Sequence, residues 1–264
     1  MKKLESDVAL ELLCKDVIKK RDDINAYENR WVRHCIFVGI AAGRIARNLN
    51  NNRGNYTEFF KKFSDVEELD EDYAVSLGYV HDIGRKIDHP KHTTEGYKYL
   101  MEAGYETEAG IALTHSFIDN DINNSADPVS GEDRYKFIND YLHSVELTPY
   151  DNIVQLCDLF CLETGFTTVE RRLLDITSRK GLYENSRLHL NKTMELLYRF
   201  ELDPDYKKIM AQELGVPESN FSFYSMFPEI SAEELNAAYE DYQSLVKLIE
   251  GGTPSQDGKV LARK

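Results

Sequence analysis

The chain is poor in the features that mark several large protein classes. No apolar run is long enough to cross a membrane. The start, Met1-Lys2-Lys3-Leu4-Glu5-Ser6-Asp7, has basic residues but no apolar stretch behind them, so it does not read as a signal peptide. Only four cysteines occur in 264 residues: Cys14, Cys35, Cys157 and Cys161. They form no paired Cys-x-x-Cys motif and no small disulfide framework, and they read as reduced thiols of a cytoplasmic protein. Basic residues are also scarce. Lys and Arg number 32 against 46 Asp and Glu, a net charge of −14. Such a balance argues against general nucleic-acid binding, whose affinity rests on cations meeting phosphates. It leaves room for a small phosphorylated substrate, because a metal pair supplies positive charge locally. No internal repeat and no strand-type alternation is present.

The pattern that remains is helical, and the expected fold class is all-α. Leu4, Val8, Leu12, Leu13, Val17 and Ile24 mark a first amphipathic helix. Trp31, His34, Val38, Ala41, Ile45 and Leu49 recur at three and four, which puts His34 on an inward face. Asn50 to Asn55 breaks that helix. A helix starting at Leu69-Asp70 delivers His81 and Asp82 and stops at Gly84. Helices over 92–103 and 107–117 follow, with Gly104 between them. A polar loop spans 119–130, and a helix 132–145. Thr148-Pro149 signals the start of a helix carrying Asp158. Thr167-Thr168-Val169-Glu170 and Ser231-Ala232-Glu233-Glu234 read as capping boxes. Further helix is expected over 185–200 and 205–214, the second ended by Gly215. The expected organisation is one helical domain over 1–250, with its motif core at 30–160, a helical extension at 161–250 and a flexible tail at 251–264.

The chemistry-bearing residues are His34, the pair His81-Asp82, His92, His115 and Asp158. A histidine followed by an aspartate offers an imidazole and a carboxylate at one turn, and two ions can share such a carboxylate. Imidazole nitrogen with carboxylate oxygen suits iron, manganese, cobalt or zinc better than magnesium or calcium. Each residue has an ordinary alternative. His34 could be a core histidine, Asp158 a helix-face carboxylate and His115 a helix-end histidine. His89, followed by Pro90, could stand in for His92. His143 and His189 read as surface or core residues, Cys35 and Cys157 as buried small side chains, and Trp31 as core. Arg171-Arg172 fits either a surface pair or a pocket wall.

The ordered set resembles the HD superfamily of all-helical, metal-dependent phosphohydrolases, over about Arg30 to Asp158. The resembling phrases are Arg30-Trp31-Val32-Arg33-His34, His81-Asp82-Ile83-Gly84, His92-Thr93-Thr94-Glu95-Gly96, Ala112-Leu113-Thr114-His115 and Gln155-Leu156-Cys157-Asp158. Thr114 stands where the branch that cleaves cyclic di-GMP has a second histidine, and no Gly-Tyr-Pro follows. The set is more similar to the branch acting on dinucleoside polyphosphates, and to di-iron oxygenases such as myo-inositol oxygenase. The resemblance implies two divalent transition-metal ions, one on His34, His81 and Asp158, the other on His92 and His115, with Asp82 bridging. If His92 and His115 did not ligate, one ion would remain. A hydroxide bridging the metals would attack phosphorus. Asp82 is then catalytic, Arg85 grips the substrate phosphate, and Lys86 is a weaker substrate-binding candidate that also fits a solvated charge. The implied partner is a small phosphorylated, nucleotide-like substrate, with no nucleic acid or membrane and room for a homo-oligomer.

Overall fold

The computed structural model describes residues 3–20, 29–63, 66, 68–126, 129–182, 185–200 and 223–251. The expected features at Ile24, 205–215 and 252–264 lie outside the described residues. Among these residues, helices dominate: α1 (Ser6–Lys20), α2 (Arg30–Asn51), α3 (Thr57–Lys61), α4 (Glu71–Val80), α5 (His92–Glu102) and α6 (Glu106–Thr114). Then come α7 (Glu132–Ser144), α8 (Pro149–Asp158), α9 (Val169–Lys180), α10 (Ser186–Arg199) and α11 (Ala232–Gly251). The fold is all-α. No helix among the described residues is long and apolar enough to cross a membrane.

The long helix α2 buries His34, Val38, Ala41, Ile45 and Leu49 of the expected stripe, together with Val32, Cys35, Ala42 and Ala46, while Trp31 is half-buried. It packs on α4 with the two backbones nearly touching. A Cβ on Gly78 would lie 2.5 Å from the Gly39 Cα, so a side chain there would force the helices apart. The Asp70 carboxylate caps α4 by accepting from the Tyr73 N–H at 3.0 Å. His81 follows three residues after Gly78, so the tight crossing brings it within 5.3 Å of the His34 ring, centroid to centroid.

Several local details differ from expectation. α4 ends at Val80, before Gly84, which sits inside a short 3-10 helix, Ile83–Lys86. A Cβ on Gly84 would lie 2.0 Å from the His92 carbonyl oxygen and 2.4 Å from the Gly96 nitrogen. The glycine therefore serves a close approach to α5 rather than a helix stop. The capping box expected at residues 167–170 does not form, and the cap lies one residue later. Thr168, not Thr167, accepts from the Arg171 N–H at 3.2 Å. Thr167 instead turns its hydroxyl toward Glu234 of α11, at 3.3 Å. The Ser231–Glu234 box forms as expected, with both reciprocal bonds at 3.2 Å. Cys157 lies on α8. Cys161 lies in a two-stranded antiparallel hairpin, β1 (Cys161–Leu162) and β2 (Gly165–Phe166), too short to leave an alternating pattern.

One buried apolar cluster runs from Leu4 through Ile45, Leu100, Ile153 and Leu173 to Leu245. α8 anchors the end of α6 through polar bonds inside this packing. Gln155 donates to the carbonyls of Thr114 (2.9 Å) and Phe117 (3.1 Å), and the Thr114 hydroxyl donates to Asp151 at 2.6 Å. These bonds tie the chain on both sides of His115 to α8 and so hold it in place.

Candidate metal centre

Five elements deliver the six side chains. α2 carries His34 in its first turns, the turn after α4 carries His81 and Asp82, α5 opens on His92, His115 follows α6, and α8 ends on Asp158. All four histidines and Asp82 are buried, and Asp158 is partly so. Three overlapping groups have mutually close donor atoms: His34, His81 and Asp82; His81, His115 and Asp158; and Asp82, His92 and His115.

The four imidazoles share one arrangement. Each Nδ1 meets a backbone carbonyl: His34 that of Cys161 (3.1 Å), His81 that of Gly78 (2.7 Å), His92 that of His89 (3.1 Å) and His115 that of Ile111 (3.0 Å). A carbonyl only accepts, so each Nδ1 carries a proton and each ring turns its Nε2 inward. Those Nε2 atoms face carboxylates. His34 lies 2.9 Å from Asp158 Oδ1. His81 lies 3.7 Å from Asp82 Oδ2, while His92 and His115 lie 3.2 and 3.5 Å from Asp82 Oδ1. Lone pairs aimed at lone pairs in a buried space require a cation or protons between them. His81 Nε2 and Asp82 Oδ1 have no hydrogen-bond partner. The donor set and these two orphaned atoms fit divalent metal ions.

Electrostatics agree. Burial outweighs the neighbouring carboxylates at His81 and pushes its imidazole down to about 4, leaving Nε2 free at neutral pH. Burial alone would lower His115, but the Asp82 carboxylate that faces it prevails and raises it. Burial alone would raise Asp82. Arg85, His92 and His81 outweigh it together and hold the carboxyl well below the usual range. At Asp158 burial is likewise overcome, chiefly by the bond to His34, and the carboxyl is strongly lowered. Both aspartates are ionised ligands in waiting.

The centre forms one end of a cavity of about 1040 Å³. Arg85 lines it, bonding Asp82 through Nε and lying 2.6 Å from His89 Nε2 through Nη1. His89 therefore orients Arg85 and, through its carbonyl, His92; it is not in the three donor groups. Lys86 is directed elsewhere. Its ammonium sits 3.6 Å from the centre of the Tyr99 ring and 3.4 Å from the Leu12 carbonyl, away from the cavity. Trp31 was expected in the core, yet it also lines the cavity, as does the buried His189. His143 is exposed and bonds its own helix. The pair Arg171-Arg172 divides: Arg171 bonds Asp241 of α11 at 2.6 Å, and Arg172 faces the cavity. The buried thiols of Cys35, Cys157 and Cys161 are all pushed well up, chiefly by burial, and are inert neighbours.

Residues 31–161, about half of the chain, match the family model of the HD domain. Comparison with curated proteins gave no match, and comparison with solved structures gave none. HD domains bind divalent metals, and the family carries metal-dependent hydrolase-type activity in general.

Proposed function

Since the chain belongs to the HD-domain family, we propose that it is a metal-dependent phosphohydrolase with a two-metal centre, cleaving a phosphoester or phosphoanhydride of a small nucleotide-like substrate. The observation that carries this reading is the position of Asp82. Its Oδ2 faces His81, and its Oδ1 faces His92 and His115. One carboxylate thus turns its two oxygens to two histidine sets. His34, His81 and Asp158 would hold one ion, His92 and His115 the other, with Asp82 shared. Bound divalent ions supply Lewis-acid polarisation of a phosphoryl oxygen and an activated water at neutral pH.

The chain's own groups do the rest. The four Nδ1–H bonds to carbonyls fix ring tautomer and orientation, which keeps the inward lone pairs aimed without reorganisation. Arg85 sits beside Asp82 with one guanidinium edge on the carboxylate and another on His89. Once the carboxylate charge is taken up at the centre, that guanidinium has donors for a phosphate oxygen, in the fork geometry that suits two parallel bonds. The cavity walls bring Arg30, Arg172, Arg179 and Lys180 to the same space. Cations gathered there, in a chain of net charge −14, favour an anionic substrate over a neutral one.

The test is mass-spectrometric product analysis of nucleotides, dinucleoside polyphosphates and phosphomonoesters with Mn²⁺ or Fe²⁺, with Asp82→Ala beside the wild type. Cleavage by wild type alone supports the reading. Unchanged turnover by metal-replete Asp82→Ala refutes it. Oxygen consumption by the iron-loaded protein, with no phosphate released, would favour a di-iron oxygenase on the same scaffold.

A further inference from the structure

Helix α9 lies beyond the residues that match the HD domain, yet it walls the cavity. Arg172, Asp175, Ile176, Arg179 and Lys180 all line it. Steps of three and four put these residues on one face of the helix. Arg172 is at the inner end. Its Nη2 lies 3.9 Å from Asp158 Oδ1 and its Nη1 lies 3.6 Å from Asp175 Oδ2. Both distances are longer than a hydrogen bond. Its Nε is buried with no hydrogen-bond partner, and the side chain is only 14% exposed. A guanidinium carries a rigid fork of N–H donors and no acceptor. Leaving such donors unmatched in a buried place is costly, so the group is set for an acceptor arriving from the cavity.

Arg179 is two turns further out, about 10 Å along the helix. It is exposed at the rim and held by Asp175, with Nε–O distances of 3.1 and 3.0 Å and an Nη2 bond of 2.7 Å. Lys180 stands next to it. With Asp175 counted against them, the face still carries net positive charge that runs from the metal centre to the mouth.

We propose that α9 is the specificity wall of the site. Arg172 binds the phosphate next to the scissile one, and Arg179 with Lys180 binds the anionic end further out. The substrate is then a chain of phosphates joined by anhydride bonds, and not a phosphomonoester. This assignment rests on the hydrolase reading for the word scissile, but its binding arm is independent of turnover.

Trp31 is the only tryptophan of the chain and lines the same cavity, so its fluorescence reports occupancy. The full chain, loaded with Mn²⁺, is titrated with AMP, ADP and ATP, and phosphate release is measured in parallel. Wild type should bind in the order ATP, ADP, AMP, tightest first. Arg172→Gln should weaken ADP and ATP about 10-fold or more, the loss of a charged hydrogen bond, and AMP much less. Arg179→Gln with Lys180→Gln should weaken ATP while sparing AMP; both side chains are exposed, so this variant tests the wall without touching the interior. Variants that bind all three nucleotides like wild type, or lose all three equally with helical circular dichroism intact, overturn the proposal. A graded preference without phosphate release would keep the wall and remove the hydrolase reading. Phosphate release with no preference would do the reverse.

Discussion

The closest backbone approach near the metal centre gives the sharpest mutational test. In Gly84→Ala the new methyl would stand 2.0 Å from the His92 carbonyl oxygen, 2.9 Å from its carbon and 2.4 Å from the Gly96 nitrogen. Every one of these atoms is backbone, so no side chain can swing aside. The His-Asp turn and α5 must separate by more than an ångström. Overpacking of this kind costs about 1–3 kcal/mol, and backbone collisions put Gly84→Ala at the upper end, about 3 kcal/mol. For a chain of this size about 2–4 °C is lost per kcal/mol, so Tm should fall by about 6–12 °C.

The same movement opens the 3.2 Å approach of His92 to Asp82. Disturbing the groups that orient ligands costs about 10- to 100-fold in metal affinity. Gly96→Ala is the graded comparison: its methyl would meet the Ala112 Cβ at 3.0 Å and the Gly84 nitrogen at 3.2 Å, so a few tenths of an ångström suffice. Gly54→Ala is the control, with nothing near its added methyl. Thermal unfolding in chelator measures the first quantity, and calorimetric titration with Mn²⁺ the second. The expected order of damage is Gly84, then Gly96, then Gly54. A Gly84→Ala protein that matches Gly54→Ala in both assays would refute the close-approach argument.

Three further outcomes follow from the centre and its surroundings. Mn²⁺ at 100 times its Kd should add about 2.7 kcal/mol to wild type, a Tm gain of about 5–11 °C; chelation should remove that gain and Asp82→Ala should lack it, so an equal gain in the variant counts against the shared carboxylate. His92→Ala should lose one of two bound metals by elemental analysis while His89→Ala keeps both, and the reverse result would exchange their roles. Burial raises the Glu170 carboxyl, so its contribution to stability is present below the ordinary carboxyl range and lost as pH rises through the folded value; Glu170→Gln should be flat across that window in denaturant titrations, and a wild-type pH slope retained in the variant would show that another group causes it.

The centre was legible because its residues sit where local rules place them. His34 falls on the apolar stripe of α2. Thr148 and Pro149 start α8 with a capping box that runs through Asp151, as the dipeptide signals. The glycine four residues after His92 marks a tight crossing against Gly84 and Ala112. What escaped was set by residues far along the chain. Arg171 and Arg172 are neighbours with the same chemistry, and only the position of Asp241 on α11 separates them. Lys86 follows Arg85 directly, yet Tyr99 and Leu12 draw it away. The hairpin at Cys161 is too short for periodicity, and it matters because its carbonyl orients His34. The cap at Thr168 moved by one because Glu234 competes for Thr167.

The orientation of α9 decides whether Arg172 reaches the cavity, and two contacts compete as its cause. Arg171 to Asp241 is an ion pair with 45% and 13% exposed side chains. Pairs with one partner open to water contribute about 0–1 kcal/mol. The Tyr224 hydroxyl is the other contact. It accepts from the Val169 N–H at 2.8 Å and donates to Glu170 at 2.8 Å, all in buried surroundings. Tyr224→Phe would strip two buried groups of their partner at once, each costing about 1–3 kcal/mol. The buried hydroxyl therefore dominates, and Tyr224→Phe should destabilise the chain by about 2 kcal/mol or more. Asp241→Ala should fall within about 1 kcal/mol of wild type. Urea unfolding ranks the two directly. A larger loss in Asp241→Ala would mean that the surface pair, and not the buried hydroxyl at the start of the helix, sets α9 against the cavity.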